Sequence, residues 1–334
     1  MNESYKQLIG INSLKYDGKS VLLIGAGKIA KNYVIALSNL GIKDITVITN
    51  SKISSHTFPN YSKIYFQYGG FEKNLPKMKN MDLTIIATPI QLLIRAANTA
   101  INFGQKNILI EKPGSLYSNE LLSLKKRITS QTIRIAYNRM VYPNIHKLKQ
   151  LIQKDGGISS CRFTFTEWID KLPLSDLEPS VAKRWGISNS LHVISLVCDL
   201  IGFPKKLHAE QYGNIEWHKS GSIFVGSGIS KQSVPFSYHA DWKSSSRWSI
   251  EVFTEKNAYR LMPLEELYVC KKNTTEWKHV QFDSAFPNVK PGIAEQIAIM
   301  LNPKLQTKIK LVTLKEASEF IKMAEVIFGY RKSH

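Results

Sequence analysis

Cysteine is scarce, with three residues in 334. Cys161, Cys198 and Cys270 lie far apart, in neither an even set nor metal-ligand spacing, which argues against a disulfide framework and a cysteine-built metal centre. Buried, reduced thiols in a cytoplasmic protein are the expectation, with no metal. Long apolar runs are also missing: none approaches the ~20 residues of a membrane-spanning helix. The mixed, polar stretch Met1–Gly18 has no signal-peptide core. Acidic residues are few, 26 Asp+Glu against 45 Lys+Arg, for a formal net charge of +19. The excess cations are dispersed (Lys125-Lys126-Arg127, Lys205-Lys206, Lys271-Lys272) and no nucleic-acid motif accompanies them. That pattern argues for small phosphate- or carboxylate-bearing ligands rather than nucleic acid.

Apolar residues are plentiful, at 43% hydrophobic, enough for two cores. Strand-like and helix-like segments alternate over the first part of the chain, the pattern of a doubly wound parallel sheet. Val21 to Ile24 reads as a buried strand running into Gly25-Ala26-Gly27-Lys28-Ile29-Ala30 and then a helix that stops at Gly41. Gly25 permits the tight turn, and Gly27 lets a pyrophosphate approach the backbone. Ala30 lets the helix pack closely on the strand, and the helix N-terminus offers N–H groups to phosphate. The second strand, Asp44 to Asn50, lacks the carboxylate that would bind a ribose 2′-hydroxyl. Asn50, Ser51 and Lys52 stand there instead, and Ser51 and Lys52 can donate to a 2′-phosphate, so NADP(H) is favoured over NAD(H). Further strands are expected over Lys63–Phe66, over Asp82 to Thr88-Pro89, over Asn107 to Glu111-Lys112-Pro113 and over Ile133–Tyr137. The last leads to Asn138 and Arg139. Lys112 thus falls at the carboxyl edge of the sheet, where such sheets bind ligands.

Beyond about residue 155 strand-like alternation dominates: Cys161–Trp168, Lys206–Tyr212, Ser222–Ile229, Pro235–Trp242 and Trp248–Thr254. An apolar helix over Ser190–Ile201 carries His192, and a last helix covers Leu314–Tyr330. An α+β domain on a large open, mainly antiparallel sheet is expected. The domain division is 1–140, with 1–18 as an N-terminal extension, and 141–334, with the C-terminal helix expected to pack back on the first domain.

The motifs Gly25-Ala26-Gly27-Lys28-Ile29-Ala30, Ala87-Thr88-Pro89, Glu111-Lys112-Pro113, Tyr137-Asn138-Arg139, Tyr142-Pro143 and His192 occur in that order over nearly the whole chain. In them the chain resembles the glucose-fructose oxidoreductase/inositol dehydrogenase (Gfo/Idh/MocA) family. The resemblance implies a Rossmann domain and an α+β domain whose sheet joins subunits into a homodimer or homotetramer. It also implies hydride transfer between NAD(P) and an oxygen-bearing carbon of a sugar or cyclitol. Lys112 matches the family lysine beside the nicotinamide and the reacting oxygen, and His192 matches the family's proton donor or acceptor. The residue types suit those tasks, since an ammonium stabilises a developing alkoxide and an imidazole titrates near neutral pH.

Many members carry Asp four residues before and three after that histidine, where this chain has Ser188 and Ser195. Tyr137 is therefore a third candidate for the proton relay. Arg139, Arg184, Trp185, Ser188, Asn189 and Trp242 are candidate substrate contacts, core or interface packing being the alternative for the tryptophans. The expected activity is an NADP(H)-preferring oxidoreductase acting on a sugar or nucleotide-sugar, phosphorylated or carboxylated, of the kind used in cell-surface polysaccharide synthesis. Two alternatives remain: an imine or tetrapyrrole reductase on the same fold, and an NADP-binding regulatory or scaffold protein with an eroded site.

Overall fold

A computed structural model describes residues 16–52, 58, 64–286 and 288–330. The described chain divides into two compact units. The first comprises the residues up to Val141 together with Ser284–Ser318; the second comprises Tyr142–Asp283 and the residues from Glu319 onward.

The first unit is built on six parallel strands: β1 (Ser20–Ile24), β2 (Asp44–Thr49), β3 (Ile64–Tyr68), β4 (Leu83–Ile86), β5 (Asn107–Glu111) and β6 (Thr132–Ala136). Their spatial order is β3-β2-β1-β4-β5-β6, the doubly wound arrangement with its reversal between β1 and β4. Helices α1 (Lys28–Asn39), α2 (Phe71–Asn74), α3 (Leu93–Asn102) and α4 (Ser118–Lys126) lie between the strands in sequence. Val21–Ile24, Leu83 and Ile85–Ile86 are at most 1% exposed because helices cover both faces of the sheet. Ile24 pairs with Ile48 on one side and Ile86 on the other, so three strand ends finish level around Gly25.

The second unit opens with α5 (Pro143–Asp155), closed by Gly156 in the left-handed conformation. Eight strands follow: β7 (Ser160–Phe165), β8 (Pro204–Tyr212), β9 (Ile223–Ser230), β10 (Pro235–Asp241), β11 (Trp248–Phe253), β12 (Asn257–Leu261), β13 (Tyr268–Lys271) and β14 (Trp277–His279). They form one sheet in the order β14-β13-β12-β11-β7-β10-β9-β8, antiparallel except for the β7–β10 pair. Between β7 and β8 come α6 (Pro179–Lys183), a π-helical turn (Gly186–Ser190) and α7 (Leu191–Ile201). α7 packs on β7 and β11. Cys161, Phe163 and Phe165 of β7 are buried, while Arg162 between them is exposed and pairs with Glu251 of β11. All three cysteines are buried free thiols.

The chain then returns to the first unit with α8 (Ile293–Leu301) and α9 (Pro303–Lys308). Ile293, Ala294, Ile297 and Ala298 share a buried cluster with Tyr33, Leu37 and the strands. This return departs from the division expected at 140/141, and its physical cause is the apolar face of α8, which finds its partner on α1. A last helix, α10, spans Leu314–Ile327. No helix of the described residues is long and apolar enough to cross a membrane.

Candidate functional site

At the reversal point of the parallel sheet, Gly25 follows β1 with φ +110°, and a Cβ there would lie 2.3 Å from the Ala87 carbonyl oxygen. The backbone amide of Gly25 donates to the Ile48 carbonyl, and that of Ala87 to the Ile24 carbonyl, which locks the three strand ends together. Gly27 caps α1 in extended backbone without a side-chain hydrogen bond, and a Cβ on it would meet nothing within 4 Å. That opening faces the positive end of α1, whose first turn holds no acidic residue but does hold Lys28. A lysine there opposes the helix dipole, and an anion bound at the same end relieves the conflict.

The turn opens on a cavity of about 420 Å³. Its walls are Gly25–Gly27, the β2 tip from Ile48 to Lys52, Gly70 and Phe71 after β3, and Thr88, Pro89 and Leu92 after β4. Asn50, Ser51 and Lys52 are all exposed at its rim. Thr88 Oγ1 is buried without a hydrogen-bond partner among the described residues, as a ligand-facing hydroxyl would be. Sequence reasoning missed Gly70, whose φ of +84° brings its backbone against the Asn50 side chain; the pair Gly69-Gly70 at the β3 end was the available signal. An open Gly27, an orphaned hydroxyl, a helix N-terminus and two exposed donors fit a phosphate-bearing dinucleotide.

Farther along the same sheet edge, β5 ends at Glu111 and is followed by Lys112, which joins Pro113 through a cis peptide. Neither residue belongs to the cavity wall. The Tyr33 hydroxyl, from α1, donates to Glu111 Oε1 at 2.5 Å. Burial raises the Glu111 pKa, while the Tyr33 hydrogen bond and the charges of Lys112 and Lys290 act to hold it down. Asn138 follows β6 on a short turn that also carries Arg139, and its amide donates to the Pro291 carbonyl at 3.1 Å. Tyr137 is buried at the β6 end.

In the second unit His192 is the second residue of α7, half-buried, its ring centroid 5.6 Å from that of Trp248. The π-helical turn before it hangs on Glu167, which is 1% exposed just past β7. Asn189 Nδ2 donates to Glu167 Oε2 at 2.7 Å and Ser190 Oγ to Oε1 at 2.6 Å. Arg247 Nη1 and Trp248 Nε1 donate to the same two oxygens at 3.1 and 3.3 Å. Burial raises the Glu167 pKa, and Ser190, Arg247 and Asn189 favour its charged form.

Several expected substrate contacts are committed elsewhere. Trp242 is 1% exposed and packs among His218, Phe224 and Phe328, so its faces fill the core rather than receive a sugar. The Arg184 guanidinium pairs with Glu325 at 2.6 Å and covers the Tyr330 ring, so it holds the second unit together. Ser188 Oγ is turned back to the Trp185 carbonyl, and the Asn189 amide is taken by Glu167. Trp185 is half-buried, with Nε1 lacking a partner among the described residues. Glu167 was not foreseen; a carboxylate two residues past an alternating strand resembles any loop residue in sequence.

No protein-family model matches the chain, and no curated protein matches its sequence. Solved structures do match. UDP-N-acetylglucosamine 3-dehydrogenase GnnA from Acidithiobacillus ferrooxidans is similar with a TM-score of 0.70 and 15% identity, over 92% of this chain and 96% of that one. Levoglucosan dehydrogenase in complex with NADH gives 0.73 and 14%, over 94% and 98%. An NAD binding oxidoreductase from Klebsiella pneumoniae gives 0.74 and 14%, over 94% and 97%. The chain therefore has the two-domain fold of these dehydrogenases and oxidoreductases.

Proposed function

We propose that the chain is a nicotinamide-dependent oxidoreductase of the Gfo/Idh/MocA type, transferring a hydride between NAD(P)(H) and a carbonyl or hydroxyl carbon of a sugar-like substrate. The observation that carries this reading is the cavity at the β1–β4 reversal point, with Gly27 open toward it and the orphaned Thr88 hydroxyl in its wall. That two structures sharing the fold are a nucleotide-sugar dehydrogenase and a sugar dehydrogenase holding NADH supports the substrate and cofactor classes. The bound nicotinamide would supply or accept the hydride; the protein's task is to hold it and to manage the proton and the charge on the substrate oxygen.

In this reading the α1 N-terminus with Gly25, Gly27, Lys28, Ile29 and Ala30 holds the pyrophosphate. Ser51 and Lys52, with Asn50, hold a ribose 2′-phosphate, which makes NADP(H) the preferred cofactor. Thr88, Pro89, Glu111 and Asn138 line the rest of the dinucleotide's path along the sheet edge. Lys112 stabilises negative charge on the substrate oxygen, and His192 gives or takes its proton, with Tyr137 as a further member of that relay. Arg139 and Trp185 remain substrate contacts, and the dispersed positive charge suits a phosphorylated or carboxylated sugar. Assembly of two or four copies through the eight-stranded sheet belongs to the same proposal.

The test is a titration of NADPH and NADH into the purified protein, followed by nicotinamide fluorescence, with Lys52→Asp beside wild type. NADPH is expected to bind more tightly, and Lys52→Asp to weaken NADPH at least about tenfold, which is ~1.4 kcal/mol, while sparing NADH. A preference for NADH would overturn the 2′-phosphate assignment, and binding of neither would overturn the oxidoreductase reading. In a screen of ketosugars, Lys112→Met should abolish turnover and retain NADPH binding.

A further inference from the structure

We propose that Glu167 is the positioning residue of His192, fixing both the turn that carries the histidine and the indole against which its ring packs. The proposal rests on the reading of His192 as the proton-moving group. The geometry lies wholly within the second unit. Asn189 and Ser190 are the last two residues of the π-helical turn Gly186–Ser190, and His192 follows Ser190 by two residues. Both side chains donate to Glu167, one to each carboxylate oxygen. Trp248, whose ring packs against the His192 imidazole, donates its Nε1–H to Glu167 Oε1. Arg247 donates to Oε2, lies 4.2 Å over the Trp248 ring, and supplies the counter-charge.

Asn, Trp and Arg can only donate through these atoms, so both Glu167 oxygens accept, and with Ser190 four donor groups surround the acid. A buried ion pair is weak as a stabilising device, because an apolar side chain of equal volume commonly serves as well. A π-helical turn is likewise rare, and such turns concentrate at functional sites. Here the costly charge and the rare turn meet at one carboxylate, and the donors attached to it flank one histidine. The positions one helical turn to either side of His192 carry Ser188 and Ser195 rather than carboxylates, and Asp199, the one acid of α7, pairs with Lys149 at 2.7 Å.

The experiment uses the full chain and reads the Hε1 resonance of His192 by NMR, identified by its loss in His192→Gln. It compares wild type with Glu167→Gln and with Ser190→Ala, which removes one donor without burying a new group. The resonance is expected to move in both variants, while NADPH affinity stays within about twofold of wild type. Restoring the acid one methylene shorter, with Glu167→Asp, should recover part of the shift. If Glu167→Gln fails to fold, Ser190→Ala decides alone. A His192 resonance at the wild-type position in a folded Glu167→Gln protein, or in Ser190→Ala, overturns the proposal. Failure of the oxidoreductase reading would show separately, as wild-type protein that binds no nicotinamide.

Discussion

A methyl group on Gly25 would lie 2.3 Å from the Ala87 oxygen and 2.7 Å from its carbonyl carbon, at a φ of +110°. Neither neighbour can yield, because the Ala87 amide is itself bonded to the Ile24 carbonyl. Gly25→Ala should therefore cost about 1–3 kcal/mol of stability from backbone strain and remove nicotinamide binding, read by thermal unfolding and fluorescence titration. Gly27 is the contrast: a methyl there meets no protein atom, so Gly27→Ala should leave the melting temperature nearly unchanged and still weaken the nucleotide. Tyr33 is buried on α1 and bonded to Glu111. Tyr33→Phe removes a donor from a carboxylate whose pKa burial already raises. The expected loss is about 1–2 kcal/mol in urea unfolding, together with a further rise in the Glu111 pKa.

Gly186 opens the π-helical turn, and a Cβ on it would meet the Phe328 ring at 2.3 Å. An aromatic ring packed among Phe165, Phe224 and Trp242 has nowhere to move. Gly186→Ala should overpack this junction at a cost of about 1–3 kcal/mol, measured by urea unfolding, and displace the His192 resonance as well. This turn also marks where sequence reasoning stops. β1, β2, β4 and β5 were legible because a strand covered on both faces is a short apolar run, and because Gly25, Gly41 and Gly104 punctuate the helices between them. The Glu167 hub was not, since its hydrogen bonds join residues 22, 23, 80 and 81 positions apart. β12 to β14 were missed for a different reason. They are short and carry charges such as Arg260, Lys271 and Lys278, and β14 lies at the sheet edge with Lys278 and His279 exposed, so no alternation announces them. The return of Ser284–Ser318 to the first unit escaped because apolar periodicity gives a helix a buried face without naming what covers it.

Two buried titratable groups, one in each unit, make stability respond to pH in opposite senses. His218 of the second unit is fully buried: Nδ1–H donates to the Gly221 carbonyl at 2.9 Å, and Nε2 accepts the Tyr330 hydroxyl at 2.7 Å. The Tyr330 oxygen in turn accepts the Gly186 amide at 3.0 Å. A neutral imidazole satisfies this chain, and burial pushes the His218 pKa from 6.5 down to about 4. Between those values the unfolded chain binds a proton that the folded one does not. The contribution of His218 is therefore complete above pH 6.5 and is lost as pH falls toward 4, by up to about 3 kcal/mol. Glu295 on α8 behaves conversely. It is 1% exposed, with Oε2 lacking a hydrogen-bond partner among the described residues, and burial pushes it up to about 7. Between its ordinary value of 4.5 and 7 the folded state holds the proton, so stability falls as pH rises through that window. Glu295→Gln copies the neutral acid in shape. It should match wild type near pH 4 and exceed it at pH 8.5 by up to about 3 kcal/mol in urea unfolding. Equal stabilities at both pH values would mean that Glu295 reaches water in the folded state, whereas a variant destabilised at both would mean that its protonated carboxyl donates a hydrogen bond that the amide fails to replace.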